Sequence, residues 1–226
     1  MSTLVIAAHP DDEVLGCGGT MARLAREKED VFIAILGEGV TSRYAQREQA
    51  DPDLIKALHG RSRAVAELLG ARDLFLFGLP DNRFDTVPLL KVVKIIEELV
   101  TRLRPEVIYT QHGGDLNVDH VITYRATLTA TRPVAECPVK TVYTYEVASS
   151  SEWAFQQFSP VFQPSVFVDI GDTLELKLRA MQTYESEARP FPHPRAPEAL
   201  RAAAQRWGSV VGLTAAEAFH CVREIR

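Results

Sequence analysis

Apolar residues fall in two kinds of run along this chain. Short continuous blocks come first: Leu4 to Ala8, Val31 to Leu36, Leu74 to Phe77 and Val107 to Thr110. Blocks of this length between polar turns suit strands buried on both faces. Between them lie stretches with helical spacing. In the clearest, Leu89, Val92, Val93, Ile96, Leu99, Val100 and Leu103 recur every three or four residues, which predicts a helix with one buried stripe. Further helices are predicted over Gly16 to Lys28, Arg61 to Gly70 and about Asp119 to Thr131. Alternating strands and helices imply right-handed crossovers and a largely parallel sheet covered on both faces.

The pattern changes in the last third. Lys140 to Val147 and Val166 to Ile170 read as strands added at an edge, and Thr173 to Tyr184 and Pro197 to Trp207 as helices. Between those helices, Ala188 to Pro197 holds four prolines, which predicts a rigid, extended connector. There is no internal repeat and no low-complexity tract. The expected organisation is one domain over residues 1–226, with an α/β core over 1–135 and edge strands and C-terminal helices over 136–226.

Composition narrows the class. A chain of 226 residues with 46% apolar and 24% charged residues can bury a core without staples. A net charge of -5 argues against a nucleic-acid partner. The three cysteines, Cys17, Cys137 and Cys221, are scattered and form no CxxC pair, as expected in a reducing compartment. No signal peptide is visible at the start, and no apolar run approaches the roughly 18 residues of a membrane span. A cytoplasmic location and no membrane span are therefore expected.

Candidate chemistry sits at two strand ends. The first strand runs into His9-Pro10-Asp11-Asp12-Glu13, and the fourth into Gln111-His112-Gly113-Gly114-Asp115-Leu116-Asn117-Val118-Asp119-His120. Open parallel sheets bind ligands beyond the carboxyl ends of their strands, so the two segments can converge although far apart in the chain. Imidazole and carboxylate groups are common zinc ligands, and three of them with an open position make a hydrolytic metal site. Taken singly, the acids of the first segment also suit a helix N-terminus, and Asp119 could be an N-cap. No Walker-type phosphate loop is present, and the first strand end carries no Asp-x-Asp pair, which sets phosphoryl transfer aside.

The His-Pro-Asp-Asp-Glu run, with the later Asp-His, resembles the LmbE-like (PIG-L) zinc-dependent N-deacetylases. Gly16-Cys17-Gly18-Gly19-Thr20, Glu38 to Tyr44, Leu79 to Asp85, Ser149 to Trp153 and Tyr184 to Arg195 extend the likeness over nearly the whole chain, towards a bacterial amino-sugar branch. The resemblance implies a Rossmann-like three-layer α/β sandwich with one Zn2+ per chain held by His9, Asp12 and His120. His and Asp ligands also accept other divalent transition metals. It makes Asp11 the general base, taking a proton from the attacking water and able to return it to the departing amine.

Many members carry a histidine where this chain has Asn117. Either Asn117 donates alone to the oxyanion or His112 leans in from the preceding turn. The aspartate matching Asp81 binds sugar hydroxyls in related enzymes, although Asp81 also suits a turn. Arg43 could hold a hydroxyl or phosphate, and Trp153 could stack on a sugar ring. Arg189, His193 and Arg195 form a basic cluster fit for phosphate or for pairing with the protein's own acids. Cys17 is expected to pack rather than react.

The expected activity is hydrolysis of the N-acetyl group of an amino sugar of the N-acetylglucosamine type, phosphorylated or nucleotide-linked forms included. The expected partner is that small molecule, with a homo-oligomer left open. The alternatives are a metal-dependent amidase on a non-sugar N-acyl substrate and a non-catalytic carbohydrate-binding relative.

Overall fold

A computed structural model describes residues 2–226. In chain order its elements are β1 (Ser2–Ala7), α1 (Asp12–Arg26), β2 (Asp30–Gly37), α2 (Pro52–Leu69), β3 (Asp73–Leu79), α3 (Leu89–Leu103), β4 (Val107–Gln111), α4 (Val118–Ala130), β5 (Thr141–Tyr145), β6 (Val166–Asp169), α5 (Leu174–Thr183), α6 (Pro197–Val210) and β7 (Ala216–Glu224). The strands form one sheet in the order β3-β2-β1-β4-β5-β7-β6. The β3 to β5 ladders are parallel, and β7 lies antiparallel to both β5 and β6.

Side chains along the central strands alternate between two cores, as the two-residue strand period requires. Val5 and Ala7 of β1 and Val31, Ile33 and Ile35 of β2 pack with α1, α2, α5 and α6. Leu4 and Ile6, with Phe32, Ala34 and Leu36, pack with α3 and α4 on the other face. This is the three-layer α/β fold expected, and burial on both faces explains why the strands read as unbroken apolar runs. Among the described residues, no helix is long and apolar enough to cross a membrane.

Several expectations are corrected. α1 begins at Asp12 rather than Gly16, and α2 at Pro52 rather than Arg61. Asp51 caps α2 by accepting from the Asp53 N–H (2.9 Å), and Pro52 takes the first helical position, where its missing N–H costs nothing. The residues over 140–147 supply an interior strand, because β7, which the hydrophobic pattern did not disclose, lies between β5 and β6. The proline-rich connector is not extended. It folds into successive turns, with His193 N–H on Pro190 O (3.1 Å) and Ala196 N–H on His193 O (2.9 Å).

The chain runs outward from β1 through β2 to β3, then returns to place β4 on the other side of β1. That reversal opens a crevice beyond the carboxyl ends of β1 and β4, the usual ligand position in such sheets. Both candidate segments leave the sheet there.

Candidate active site

The chain turns sharply between β1 and α1. Asp11 adopts φ 112°, a strained value for a residue with a Cβ. Glu13 holds it there: one carboxylate oxygen accepts from Asp11 N–H (3.0 Å), the other from the Tyr184 hydroxyl (2.6 Å). Burial pushes the Glu13 carboxyl up to about 7.

Asp12 faces the two histidines. Its Oδ2 accepts from His9 N–H (2.8 Å) and Gln111 Nε2 (3.0 Å), and lies 3.4 Å from His9 Nδ1 and 3.3 Å from His120 Nε2. Ligand atoms of His9, Asp12 and His120 all lie within 4.8 Å of one another. Each histidine turns its other ring nitrogen to a second carboxylate. His9 Nε2 is 2.9 Å from Asp119 Oδ2, and Asp119 Oδ1 is fixed by Phe84 N–H (2.8 Å). His120 Nδ1 is 3.1 Å from Asp115 Oδ1, off the axis of a regular hydrogen bond and therefore a charge contact. The Ser150 hydroxyl donates to Asp115, as does that of Ser151 at 2.6 Å.

A carboxylate behind each of these histidines is the arrangement that orients imidazoles toward a metal. His9, Asp81 and Asp119 form an overlapping group. It uses the nitrogen already committed to Asp119, so the set with Asp12 fits a metal better.

Charge supports this. Burial opposes protonation of His9, but Asp119, Asp12 and Asp81 outweigh it and hold the imidazole well above its ordinary range. At His120 burial likewise acts downward, and Asp12 and Asp115 overcome it, up to about 9. Burial alone would raise Asp12, yet His120 and His9 keep it well below the usual carboxylate range. The pocket therefore attracts positive charge, and a divalent cation would take the place of the protons.

The rest of the cavity is polar. It encloses about 160 Å³ and includes His9, Asp11, Arg43, Asp81, Asn117, His120 and Arg195 in its walls. Asp81 Oδ2 accepts from Ser42 N–H (2.9 Å). Asn117 is the N-cap of α4: its Oδ1 accepts from Asp119 N–H (2.9 Å), and its Nδ2 donates to Asn82 Oδ1 (2.9 Å). Arg43 pairs with Glu187 (2.6 Å) at the rim. Arg195, expected at the substrate, donates from Nη1 to Asp11 Oδ2 (2.6 Å) and from Nε to the Ser149 hydroxyl (2.8 Å). Burial raises the Asp11 carboxyl well above its ordinary value, with the Arg195 charge acting against it.

Two expected site residues lie elsewhere. His112 Nε2 donates to Pro160 O (2.6 Å) and its Nδ1 is 3.2 Å from the Thr144 hydroxyl, so both ring nitrogens are engaged. It borders a neighbouring cavity with Phe158, Phe162 and Trp207 rather than the polar one. Trp153 is 41% exposed and meets His193 edge-on (5.5 Å), also outside that cavity. Arg189 donates to Ser186 O (2.6 Å) and Ala188 O, which ties it to its own turn. Cys17 is buried packing. A more apolar cavity of about 240 Å³ beneath α6 is lined by none of the residues of the two candidate metal groups and stands apart from this chemistry.

Sequence reasoning did not single out Asp115, Tyr184, Ser149 or Glu187. The position of Asp115 in the second motif was a usable signal; Ser149, Tyr184 and Glu187 lie in segments that share the family likeness, but nothing in their residue types gave their roles.

The family model described as PIG-L: GlcNAc-PI de-N-acetylase matches residues 4–131. YaiS of Escherichia coli (strain K12), an uncharacterized deacetylase, is 26% identical over 189 residues, covering 81% of this chain and 90% of that protein. The 1D-myo-inositol 2-acetamido-2-deoxy-alpha-D-glucopyranoside deacetylase of Mycobacterium sp. (strain JLS) is 27% identical over 232 residues, covering 84% and 75%. Among solved structures, the conserved protein TT1542 from Thermus thermophilus superposes with a TM-score of 0.79 at 25% identity, over 100% of this chain and 96% of that one. The family match spans more than half of the chain and includes both motifs that build the cavity, so the chain belongs to the PIG-L (GlcNAc-PI de-N-acetylase) family and is a hydrolytic N-deacetylase.

Proposed function

We propose that the whole chain acts as one catalytic unit, hydrolysing the N-acetyl group of an amino sugar with a single divalent metal, zinc by preference, held by His9, Asp12 and His120. The observation that carries this is the convergence of two carboxylate-backed histidines on Asp12, with both histidines and Asp11 lining one polar cavity. When bound, the metal supplies Lewis acidity to the amide carbonyl and makes water easier to deprotonate.

The chain's own groups do the rest. Asp11 accepts the proton of the attacking water as the new C–O bond forms. It returns that proton to the amide nitrogen as the C–N bond breaks, releasing acetate and a free amine. Asn117 uses one Nδ2 hydrogen on Asn82. Its amide has a second hydrogen, and its fixed orientation suits donation to the developing oxyanion. It is held by its capping bond, so it needs no reorganisation when charge develops.

Substrate preference follows from the walls. Asp81, Asn82, Ser42, Ser149 and Arg43 offer donors and acceptors, with little apolar surface among them. A hydroxyl-rich ring matches that lining better than an apolar acyl amino acid does. Asp81 and Arg43 are the proposed contacts to sugar hydroxyls or to an attached phosphate. The test is competition between N-acetylglucosamine conjugates and N-acetylated amino acids for the metal-loaded enzyme. Turnover confined to the sugars supports the assignment; turnover confined to the amino acids replaces it with a non-sugar amidase.

A further inference from the structure

Arg195 lies outside the residues matched by the family model, yet its side chain reaches the cavity floor. Its guanidinium is 20% exposed and meets Asp11 Oδ2 at 2.6 Å, where Asp11 is only 3% exposed. One further side-chain contact fixes the plane of the fork, and one main-chain contact anchors the residue that carries it. Nε donates to the Ser149 hydroxyl (2.8 Å), and the backbone N–H of Arg195 donates to His193 Nδ1 (3.1 Å). Ser149 itself sits at φ 70°, with its N–H on Glu152 Oε1 (2.7 Å), so its hydroxyl is held beneath the guanidinium. Glu187 stands 3.5 Å from Nη1 on the rim side. A planar guanidinium held this way dictates the orientation of the carboxylate it binds.

We propose that Arg195 is the positioning residue for Asp11, with Ser149 setting Arg195 in turn. The guanidinium takes Oδ2 and leaves Oδ1 as the oxygen that exchanges the proton with water and with the leaving nitrogen. The turns of the proline-rich segment serve to deliver this one side chain to the base. The catalytic part of the proposal rests on the deacetylase reading; the Arg195–Asp11 pairing does not.

The test uses Arg195→Ala, Arg195→Lys, Asp11→Asn and the double variant Asp11→Asn/Arg195→Ala in the full chain. The metal content of all four should equal wild type, because neither residue is a ligand. A misdirected base should lower kcat of Arg195→Ala by about 10²-fold with KM little changed. Arg195→Lys should recover part of that loss, as should guanidinium ion added to Arg195→Ala. Adding Arg195→Ala to Asp11→Asn should slow turnover no further. A raised KM with unchanged kcat would make Arg195 a substrate contact and overturn the proposal. Urea unfolding midpoints of the same variants need no turnover, and the double variant should lose less than the sum of the singles. Additive losses would refute the pairing even if no substrate were ever turned over, whereas an inactive wild type with coupled midpoints would refute only the deacetylase reading.

Discussion

Removing the metal should leave two protons in its place, and their release can be counted. In the metal-free protein His120 is held up to about 9 despite its burial, by Asp12 and Asp115, and His9 is raised as well. At pH 7, about two units below that value, His120 is almost wholly protonated. A metal must displace that proton, so its apparent affinity at pH 7 should be about 10²-fold below its value above pH 9, and lower still if His9 competes. Titration calorimetry in buffers of different ionisation enthalpy should show between one and two protons released per metal at pH 7. The metal-free fold should respond in the opposite sense. The His120 pKa is raised on folding, from 6.5 to about 9, so its contribution is fully present below pH 6.5 and is lost as pH rises through about 9. That contribution is on the order of 3 kcal/mol. Glu13, raised from 4.5 to about 7, adds a loss of the same sign at lower pH. The metal-free unfolding midpoint should therefore fall between pH 6.5 and 9, while the gain on adding metal grows. Metal binding at pH 7 without proton release, or a metal-free midpoint rising over that interval, would refute the assignment of these histidines.

Three further outcomes follow from named contacts. Asp11→Asn should lower kcat by about 10²–10⁴-fold, the usual contribution of a general base, while metal stoichiometry stays at wild type; plasma emission and acetate assays on one sample test both. His112→Ala should leave kcat near wild type, because His112 borders a different cavity. It should still cost about 1–2 kcal/mol in urea unfolding by stranding Pro160 O. Gly16→Ala drives a Cβ into the Tyr145 ring, whose hydroxyl is fixed on Ile6 O (2.8 Å). Overpacking of that kind should lower stability by about 1–3 kcal/mol or more, read from the thermal midpoint.

Much of the core was legible because two-sided burial writes itself as unbroken apolar runs, and a one-sided helix as a three-to-four stripe. Where packing used other means, the pattern failed. The first turn of α1 holds Asp12 and Glu13 and then glycines, poor helix formers read on their own. Folded, Gly16 and Gly19 let the helix approach Tyr145 and Ile170 closely. β7 hides its alternation because Glu217 is buried, accepting from Gly19 and Thr20 N–H and pairing with Lys177 (2.6 Å). Such a buried ion pair is invisible until its partner is placed.

The site divides in the same way. His9, Asp12, His120 and Asp11 sit in short motifs at strand ends, where topology forces convergence. Arg195 reaches Asp11 across 184 residues, and Asp115 meets Ser150 across 35. Residue type alone could not say that the arginine faces Asp11 rather than a phosphate, or that a serine run holds Asp115 behind His120. Those roles depend on how the last third of the chain folds back over the crevice.

The most direct measurement is acetate release from a panel of N-acetylhexosamines, free, phosphorylated and nucleotide-linked, by metal-stripped protein before and after addition of one equivalent of zinc. A metal-dependent N-deacetylase of amino sugars releases acetate from at least one of them only after zinc is restored, and His120→Ala abolishes the response. Equal release with and without metal, or stoichiometric zinc binding with no release from any sugar, would contradict the proposed function.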